Sequence, residues 1–261
     1  MTASSRANVA SSFTIIKGAM IDETYAVFAE WAFERSKREN LDRLREDNFI
    51  GASSATWLRD VAKVMNRRFD PAGRDRSLVT LAKHGLPIQE WKPLLLWHMT
   101  RDEFLLRDFL GIWLFDAYDS GTFRIHSEDV EKYLSGIGKR GGTTEHSWSE
   151  QTTKRVAAGL LKMAVDFGLL HGAVVREFAS FHLPERSFLY LLHAMLDQKM
   201  SPSKLISSPE WRLFLMRPAD VEHELLRLHQ FKKLEYQVAG SIVQLSLPCT
   251  SSSEYATRMI P

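Results

Sequence analysis

A chain of 261 residues, 44% hydrophobic and 25% charged, has room for one large or two small packed domains and is ordinary for a globular protein. Its formal net charge of +2, with 17 basic and 17 acidic residues before Thr122 and 17 and 15 after it, excludes a polycationic coat, so any nucleic-acid surface must come from local segregation of charge. One cysteine, Cys249, excludes an intramolecular disulfide and a cysteine-rich zinc site and suits a reducing, cytoplasmic setting, and no run of about eighteen apolar residues is present to span a membrane.

Residues 1–12 read as a disordered lead, with Arg6 but no apolar stretch of the kind a secretory signal needs. Asp22 and Glu23 suit the start of a helix over 21–37, in which Ile21, Tyr25, Phe28 and Ala32 recur at three- and four-residue steps and face a core. Asn40 is expected to cap a shorter helix over 41–46. Next comes G-A-S-S-A-T-W-L-R from Gly51, an order similar to the turn and recognition-helix start of helix-turn-helix proteins. Gly51 permits the tight turn, Ser53 or Ser54 caps the helix, and Thr56 places a hydroxyl in its first turn. At about 100° per residue, Thr56, Arg59, Lys63, Asn66 and Arg67 share one arc, while Trp57, Leu58, Val61, Val64, Met65 and Phe69 fill the other. Arg68 falls within the apolar arc and is expected to snorkel at the helix end.

Asp70-Pro71-Ala72-Gly73 is a turn, and a short helix over 77–84 stops at Gly85-Leu86-Pro87. Helices over 88–99 and 102–118 follow, the second mostly buried through Phe104, Leu105, Phe109, Ile112 and Trp113. Asp108 and Asp116 could be read as a catalytic carboxylate pair, but nothing else gathers around them, and positions on the helix surface or at its N-terminus are preferred. Residues 121–125 suggest a brief strand, after which Ser127 caps a helix to about 135 with Glu128 and Asp129 in its first turn. The G-x-G-x-x-G match at 136–142 follows a helix and not a strand, so a dinucleotide fingerprint is rejected in favour of a flexible basic loop carrying Lys139 and Arg140.

The chain is organised around 149–172. Ser149 caps a helix with Thr152 and Thr153 in its first turn, and Gly168 ends it. Val156, Ala157, Leu160, Met163, Ala164 and Phe167 make an apolar arc, and the opposite arc carries Gln151, Lys154, Arg155 and Lys162. Ala158 and Gly159 separate those basic residues, which would let a flat, charged partner approach closely. Leu169, Leu170, Val174, Val175 and Phe178 then suggest a short extended wing. A winged helix-turn-helix fits this pattern, and so does a solvated helix on a bundle. Helices are expected to start at Pro184-Glu185-Arg186 and at Ser201-Pro202 and to cover 218–231, with 211–215 as an apolar plug between them. A hairpin is expected to pair 234–236 with 241–245, and the S-x-x-E box from Ser251 opens a last helix.

Catalytic and cofactor signatures are missing. The nine histidines form no H-x-x-x-H pair, His182, His193, His223 and His229 sit at ordinary helix positions, and neither a P-loop nor a G-x-S-x-G elbow occurs. Cys249 lies between Pro248 and Thr250 in a loop, without a base in view. Neither a metal nor another cofactor is expected, and the chain reads as non-enzymatic.

Several ordered blocks carry a family resemblance: Lys17-Gly18-Ala19 through Asp22-Glu23-Thr24-Tyr25; Arg101-Asp102 to Arg107-Asp108-Phe109; W-S-E-Q-T-T-K-R-V from Trp148; Asp166-Phe167-Gly168-Leu169-Leu170; Leu183-Pro184; Trp211-Arg212-Leu213-Phe214-Leu215; Tyr236-Gln237-Val238-Ala239-Gly240-Ser241; and Glu254-Tyr255-Ala256. From Ser12 onward the chain resembles the BrxA family, core components of bacterial BREX bacteriophage-exclusion systems, which methylate host DNA and block replication of unmodified phage DNA. The glycine loop at 136–142 is longer than that resemblance leads one to expect. The resemblance implies an almost all-helical globular fold with two helix-turn-helix motifs; with the wing and hairpin patterns above, the expected fold is mainly α and multi-helix, its second helix-turn-helix winged, with short β-hairpins. The resemblance also implies double-stranded-DNA binding without a catalytic centre. The expected division is the lead 1–12, a helical part 13–120 with the first motif, and a winged-helix-like part 121–261. The expected DNA contacts are Ser53, Ser54, Thr56, Arg59, Lys63, Asn66, Arg67, Lys139, Arg140, Gln151, Thr152, Lys154, Arg155 and Lys162. Expected partners are duplex DNA and other BREX subunits such as the methyltransferase, with no membrane. The alternative is an adaptor that binds subunits and not DNA.

Overall fold

The structure, a computed structural model, describes residues 8–144, 147–240 and 242–260. It is mainly helical, as the sequence leads one to expect, with a few short strands in two-stranded sheets. In chain order the elements are β1 (Val9–Ala10), α1 (Ser12–Lys17), α2 (Ile21–Ala29), α3 (Lys37–Asp47), α4 (Ala55–Arg68), α5 (Arg76–Lys83), α6 (Ile88–Met99) and α7 (Phe104–Asp108). A π-helical stretch, Phe109–Leu114, joins α7 to α8 (Phe115–Asp119). Then come α9 (Ser127–Ser135), the 3-10 turn Ile137–Arg140, β2 (Thr143–Thr144), α10 (Glu150–Asp166), β3 (Leu170–His171) and β4 (Glu177–Phe178). The chain closes with α11 (Glu185–Leu196), α12 (Pro202–Ile206), the 3-10 turn Pro209–Phe214, α13 (Pro218–Gln230), β5 (Glu235–Ala239), β6 (Ile242–Ser246) and α14 (Ser252–Met259). Buried side chains from 13–120 and from 121–261 join one continuous apolar core, in which α6 packs on α5 and α11.

Several local expectations need correction. The first long helix stops at Ala29 and does not reach residue 37. Ser36 opens a new helix instead: its hydroxyl accepts from the Glu39 N–H while the Glu39 carboxylate accepts from the Ser36 N–H. Asn40 is therefore inside α3 and not its cap; buried, it bonds both the N–H and the carbonyl of Ala32 and holds the bend. Ser127 is the first helical residue of α9, where Asp129 accepts from the His126 N–H. The strand expected at 121–125 reduces to a single bridge from Ile125 to Arg176. Ile112, expected in the core, is 46% exposed.

Residues 1–7 of the expected lead and Ser241 of the expected hairpin lie outside the described residues. Val9 and Ala10 pair in parallel with Thr143 and Thr144, and Ser11 caps α1. The hairpin itself runs in antiparallel register from Glu235 with Ser246 to Ala239 with Ile242.

Two polar clusters are sealed in the core. Arg68 does not snorkel. Fully buried, it donates to Glu103 at 3.1 Å and to the carbonyls of Thr14, Gly18 and Ala19 at 2.9–3.2 Å, while the Thr14 hydroxyl donates to Glu103. This satisfies a guanidinium that the apolar arc of α4 carries inward. In the second cluster Asp75 lies 2.7 Å from His98 Nδ1, and His98 Nε2 lies 2.9 Å from the Tyr190 hydroxyl. A carboxylate only accepts, so Nδ1 carries the proton and Nε2 accepts from Tyr190. Arg74 bridges Asp75 and Asp102 from the side.

Candidate nucleic-acid interface

The start of α4 is fixed by its turn. Asn48, in the left-handed region, clamps Ala52 through both ends of its amide, Gly51 follows at φ +65°, and Ser54 accepts from the Trp57 N–H at 3.1 Å. Beyond that cap Thr56, Arg59, Lys63 and Asn66 are exposed, and Arg67 is half-buried. Ser53 and Ser54 are exposed in the turn itself. Arg59 donates to the Thr56 hydroxyl at 3.2 Å, and among the described residues no carboxylate pairs with it. Asn66 accepts at its carbonyl from Lys37.

Ser149 caps α10 by accepting from the Thr152 N–H at 3.2 Å. At the other end Gly168, at φ +80°, lets Leu169 N–H turn back to the Ala164 carbonyl. Gln151, Lys154, Arg155 and Lys162 are exposed; Thr152 is half-buried, its hydroxyl 3.0 Å from that of Ser149. Lys154 reaches Glu150 and Lys162 reaches Asp166, both one turn away on the same helix. The hydrogen bond and charge of Lys154 hold the Glu150 carboxyl below its usual range. Pairs of this kind on a surface are weak, so a phosphate can displace the carboxylate. Arg155 is exposed and makes no such pair among the described residues.

After α10 the chain forms the hairpin β3–β4, and Ile125 adds to it by exchanging both backbone hydrogen bonds with Arg176. Val174, at the hairpin turn, is 81% exposed.

The glycine loop is not the flexible basic arm that was expected. Gly142 is pressed on Phe104, so closely that a Cβ would stand 2.5 Å from the ring. Arg140 bonds Asp108 at 2.8 Å and the Tyr133 carbonyl at 3.0 Å, and lies over the Tyr133 ring. Asp108, expected at a helix surface or N-terminus, is thus a buried anchor that also accepts from the Tyr133 hydroxyl. Lys139 stays exposed; Asp116 is exposed too and lines one cleft with Tyr133 and Arg140, the two residues that hold Asp108.

What brings α4 and α10 together is α1, which the sequence reading passed over. On its six residues Ile15 points one way, against Gly159 of α10. Phe13 and Lys17 lie about 180° round the helix from Ile15 and face α4, where the Lys63 ammonium sits 4.7 Å from the Phe13 ring and Lys17 meets Asp60 at 2.5 Å. Thr14 points down to Glu103, and Ile16, about 200° from Thr14, is half-buried at the outer side. The three helices α4, α1 and α10 therefore form one layer over the core. Gly159 does not separate basic residues for a partner, because its bare face is taken up by α1. On α4 the exposed arc centred on Arg59 and Lys63 lies opposite the core and beside α1; on α10 the arc centred on Gln151, Ala158 and Lys162 does the same. Both basic arcs thus open on the outer side of one layer. The signal in the sequence for this role of α1 was the block Lys17-Gly18-Ala19, whose last two carbonyls Arg68 holds.

Neither a curated protein nor a solved structure matches the chain. The family model BrxA matches residues 11–194, a stretch that holds α1, α4, α10 and the β3–β4 hairpin. That match covers well over half of the 261 residues, so the chain belongs to the BrxA family, whose members are components of BREX anti-phage defence.

Proposed function

We propose that this protein is a non-catalytic, double-stranded-DNA-binding component of a BREX system, working in the cytoplasm and docking through the basic faces of α4 and α10. The observation that carries this reading is the shared layer: Arg59 and Lys63 on one helix and Arg155 and Lys162 on the other open on the same side. Clustered cations on one face are the electrostatic footprint of a phosphate-binding surface, even where net charge is small. The α3–turn–α4 unit is read as a helix-turn-helix. The order Ile125, α9, α10, β3, β4, with Ile125 as third strand beside β4, is read as a winged one. The titratable groups sealed in the core serve the fold: Glu103, Asp75, His98 and Tyr190 are buried and occupied by hydrogen bonds to one another or to Thr14, Arg68 and Arg74. The adaptor alternative draws support from exposed Phe231 and Ile242, apolar side chains on the other part of the chain. Other BREX subunits, the methyltransferase among them, are the proposed protein partners.

The test is a duplex titration over a range of salt. Contact with about five phosphates gives log K a slope near −4 to −5 against log salt, whereas a flat response excludes electrostatic docking. Incubation of the same duplex with the protein, Mg²⁺ or Mn²⁺ and ATP should leave it intact; cleavage abolished by changing one carboxylate overturns the non-catalytic reading.

A further inference from the structure

Independently of DNA binding, we infer that the cleft between α8 and α9 binds a free nucleoside monophosphate, its base on Trp113, its sugar hydroxyls on Asp116 and its phosphate between Lys132 and Arg124. The cleft has two walls. Trp113, Asp116, Ala117 and Ser120 follow at three- and four-residue steps and make one; Asp129, Lys132 and Tyr133, spaced likewise on α9, make the other. The walls run in opposite senses. Tyr133, late in α9, reaches back to Asp108 and stands 5.8 Å from the Trp113 ring, while residues 120–126 join the far ends. Along the cleft the order is therefore the ring pair, then Asp116 and Lys132, then Thr122 and Arg124 at the connection. Seven residues separate Trp113 from Ser120, about 10 Å of helix, which is the reach of a mononucleotide from base to phosphate. The volume, about 880 Å³, lies within the range of small-ligand sites.

The ring end suits a flat partner. Fully buried Phe109 stacks on Trp113 at 5.4 Å and 17°, so it backs the indole, and half-buried Trp113 lines the cleft with the rest of its surface. Every base has a face that stacks on such a ring. The chain is π-wound over Phe109–Leu114, a winding that recurs at functional sites. Leu110 and Leu114 of that stretch are buried, while Ile112, 46% exposed, borders the cleft.

Charge fixes the rest of the ligand. Arg140 is engaged by Asp108 and Tyr133, and Asp129 by the His126 N–H. Asp116 and Lys132 are exposed, with no ion pair among the described residues. Arg124 meets Glu177 at 3.5 Å, an exposed contact that a phosphate displaces. A carboxylate only accepts, so Asp116 takes neighbouring sugar hydroxyls as donors. The Lys132 ammonium and the Arg124 guanidinium only donate, and phosphate oxygens accept from both. An ammonium ligand, which aromatic rings also hold, would meet repulsion from these two cations.

The experiment is isothermal titration calorimetry on the full chain, without DNA. The probes are adenosine, guanosine, cytidine and uridine monophosphates, the matching nucleosides, and inorganic phosphate. At least one monophosphate is expected to bind on the order of tenfold or more tighter than its own nucleoside or inorganic phosphate. Lys132→Gln with Arg124→Gln should bring that nucleotide down to the level of its nucleoside. Asp116→Asn should weaken it while leaving inorganic phosphate as it was, and Trp113→Ala should weaken it by on the order of tenfold or more. Because Trp113 also packs on Phe109, circular dichroism checks the fold of that variant; if it unfolds, the exposed positions Asp116, Lys132 and Arg124 decide the outcome. Three results overturn the assignment: no monophosphate binds, inorganic phosphate binds as tightly as the nucleotide, or the exposed substitutions leave nucleotide binding unchanged. DNA binding is judged separately, by the duplex titration.

Discussion

Gly159 of α10 and Ile15 of α1 meet backbone to backbone: a Cβ on Gly159 would stand 2.7 Å from the Ile15 carbonyl oxygen. No side chain can yield at that contact, so the glycine sets how closely α1 approaches α10. Replacing it by alanine gains roughly 1 kcal/mol of helix propensity. Against this stands an overpacking cost of about 1–3 kcal/mol. Gly159→Ala should therefore lower stability by up to about 2 kcal/mol, and Gly159→Leu by more. The urea midpoint measures it; an unchanged or higher midpoint would show that α1 rests on α10 more loosely than the contact implies.

Arg68 and Glu103 are both fully buried, and each is the charge that makes the other tolerable. Burial pulls the guanidinium below its usual value, and Glu103 opposes that. Glu103→Ala leaves a cation in the core with carbonyls as its remaining partners, a change that typically costs about 3–5 kcal/mol. Chemical denaturation should show a loss of that size, and a loss under about 1 kcal/mol would mean that water reaches Arg68.

The legibility of this fold in its sequence was uneven, for physical reasons. Where a signal is local it is plain: Ser149 and Ser54 cap the helices they were expected to start, and alternation found the β5–β6 hairpin. The capping box at Ser36 was equally local but was overridden by the run of core-facing residues before it. Arg68, Asp108 and Arg140 were misplaced because the charge that pairs with each is distant in sequence, Glu103 for the first and Arg140 and Asp108 for one another. A helical wheel places a residue on a face but does not say what covers it. The layer of α4, α1 and α10 was invisible for the same cause, since Phe13 and Lys63 meet only in the folded chain.

Acid should destabilise this protein already below about pH 6.5, the ordinary range of histidine. Burial pushes the His98 imidazole down, and His193 likewise. A group whose pKa is lower in the folded state takes up its proton first in the unfolded chain. Stability is therefore full above the unfolded pKa and falls as pH drops towards the folded one. Asp75 adds in the same sense at lower pH: burial alone would raise its carboxyl, but the hydrogen bond and charge of His98 and Arg74 outweigh it and hold the group below its usual range. Urea midpoints between about pH 7.5 and 5 should decline in the parent and decline less in His98→Gln, with His193 leaving a residual slope. Parallel curves would place the titrating group elsewhere.

The sharpest division between DNA binding and the adaptor alternative comes from reversing charge at sites that the core does not feel. Lys154 and Arg155 are exposed on α10, away from buried Val156, Leu160 and Met163. Lys154→Glu with Arg155→Glu removes the ion pair to Glu150 but touches nothing inside, and surface changes of this kind usually alter stability by within about 0.5 kcal/mol. Facing phosphates, the same two changes turn attraction into repulsion and should weaken duplex binding by on the order of tenfold or more. Arg59→Glu with Lys63→Glu tests α4 independently, since neither residue pairs with a carboxylate among the described residues; Lys63 gives up its seat on the Phe13 ring. Thermal melts and anisotropy titrations on both double variants, alongside plaque assays in cells carrying the whole defence system, give three readouts for each surface. Loss of DNA binding together with loss of phage resistance supports the proposed role. Variants that fold, bind DNA as the parent does and yet fail to resist phage assign these basic faces to a protein partner, and the adaptor reading replaces the DNA-binding one.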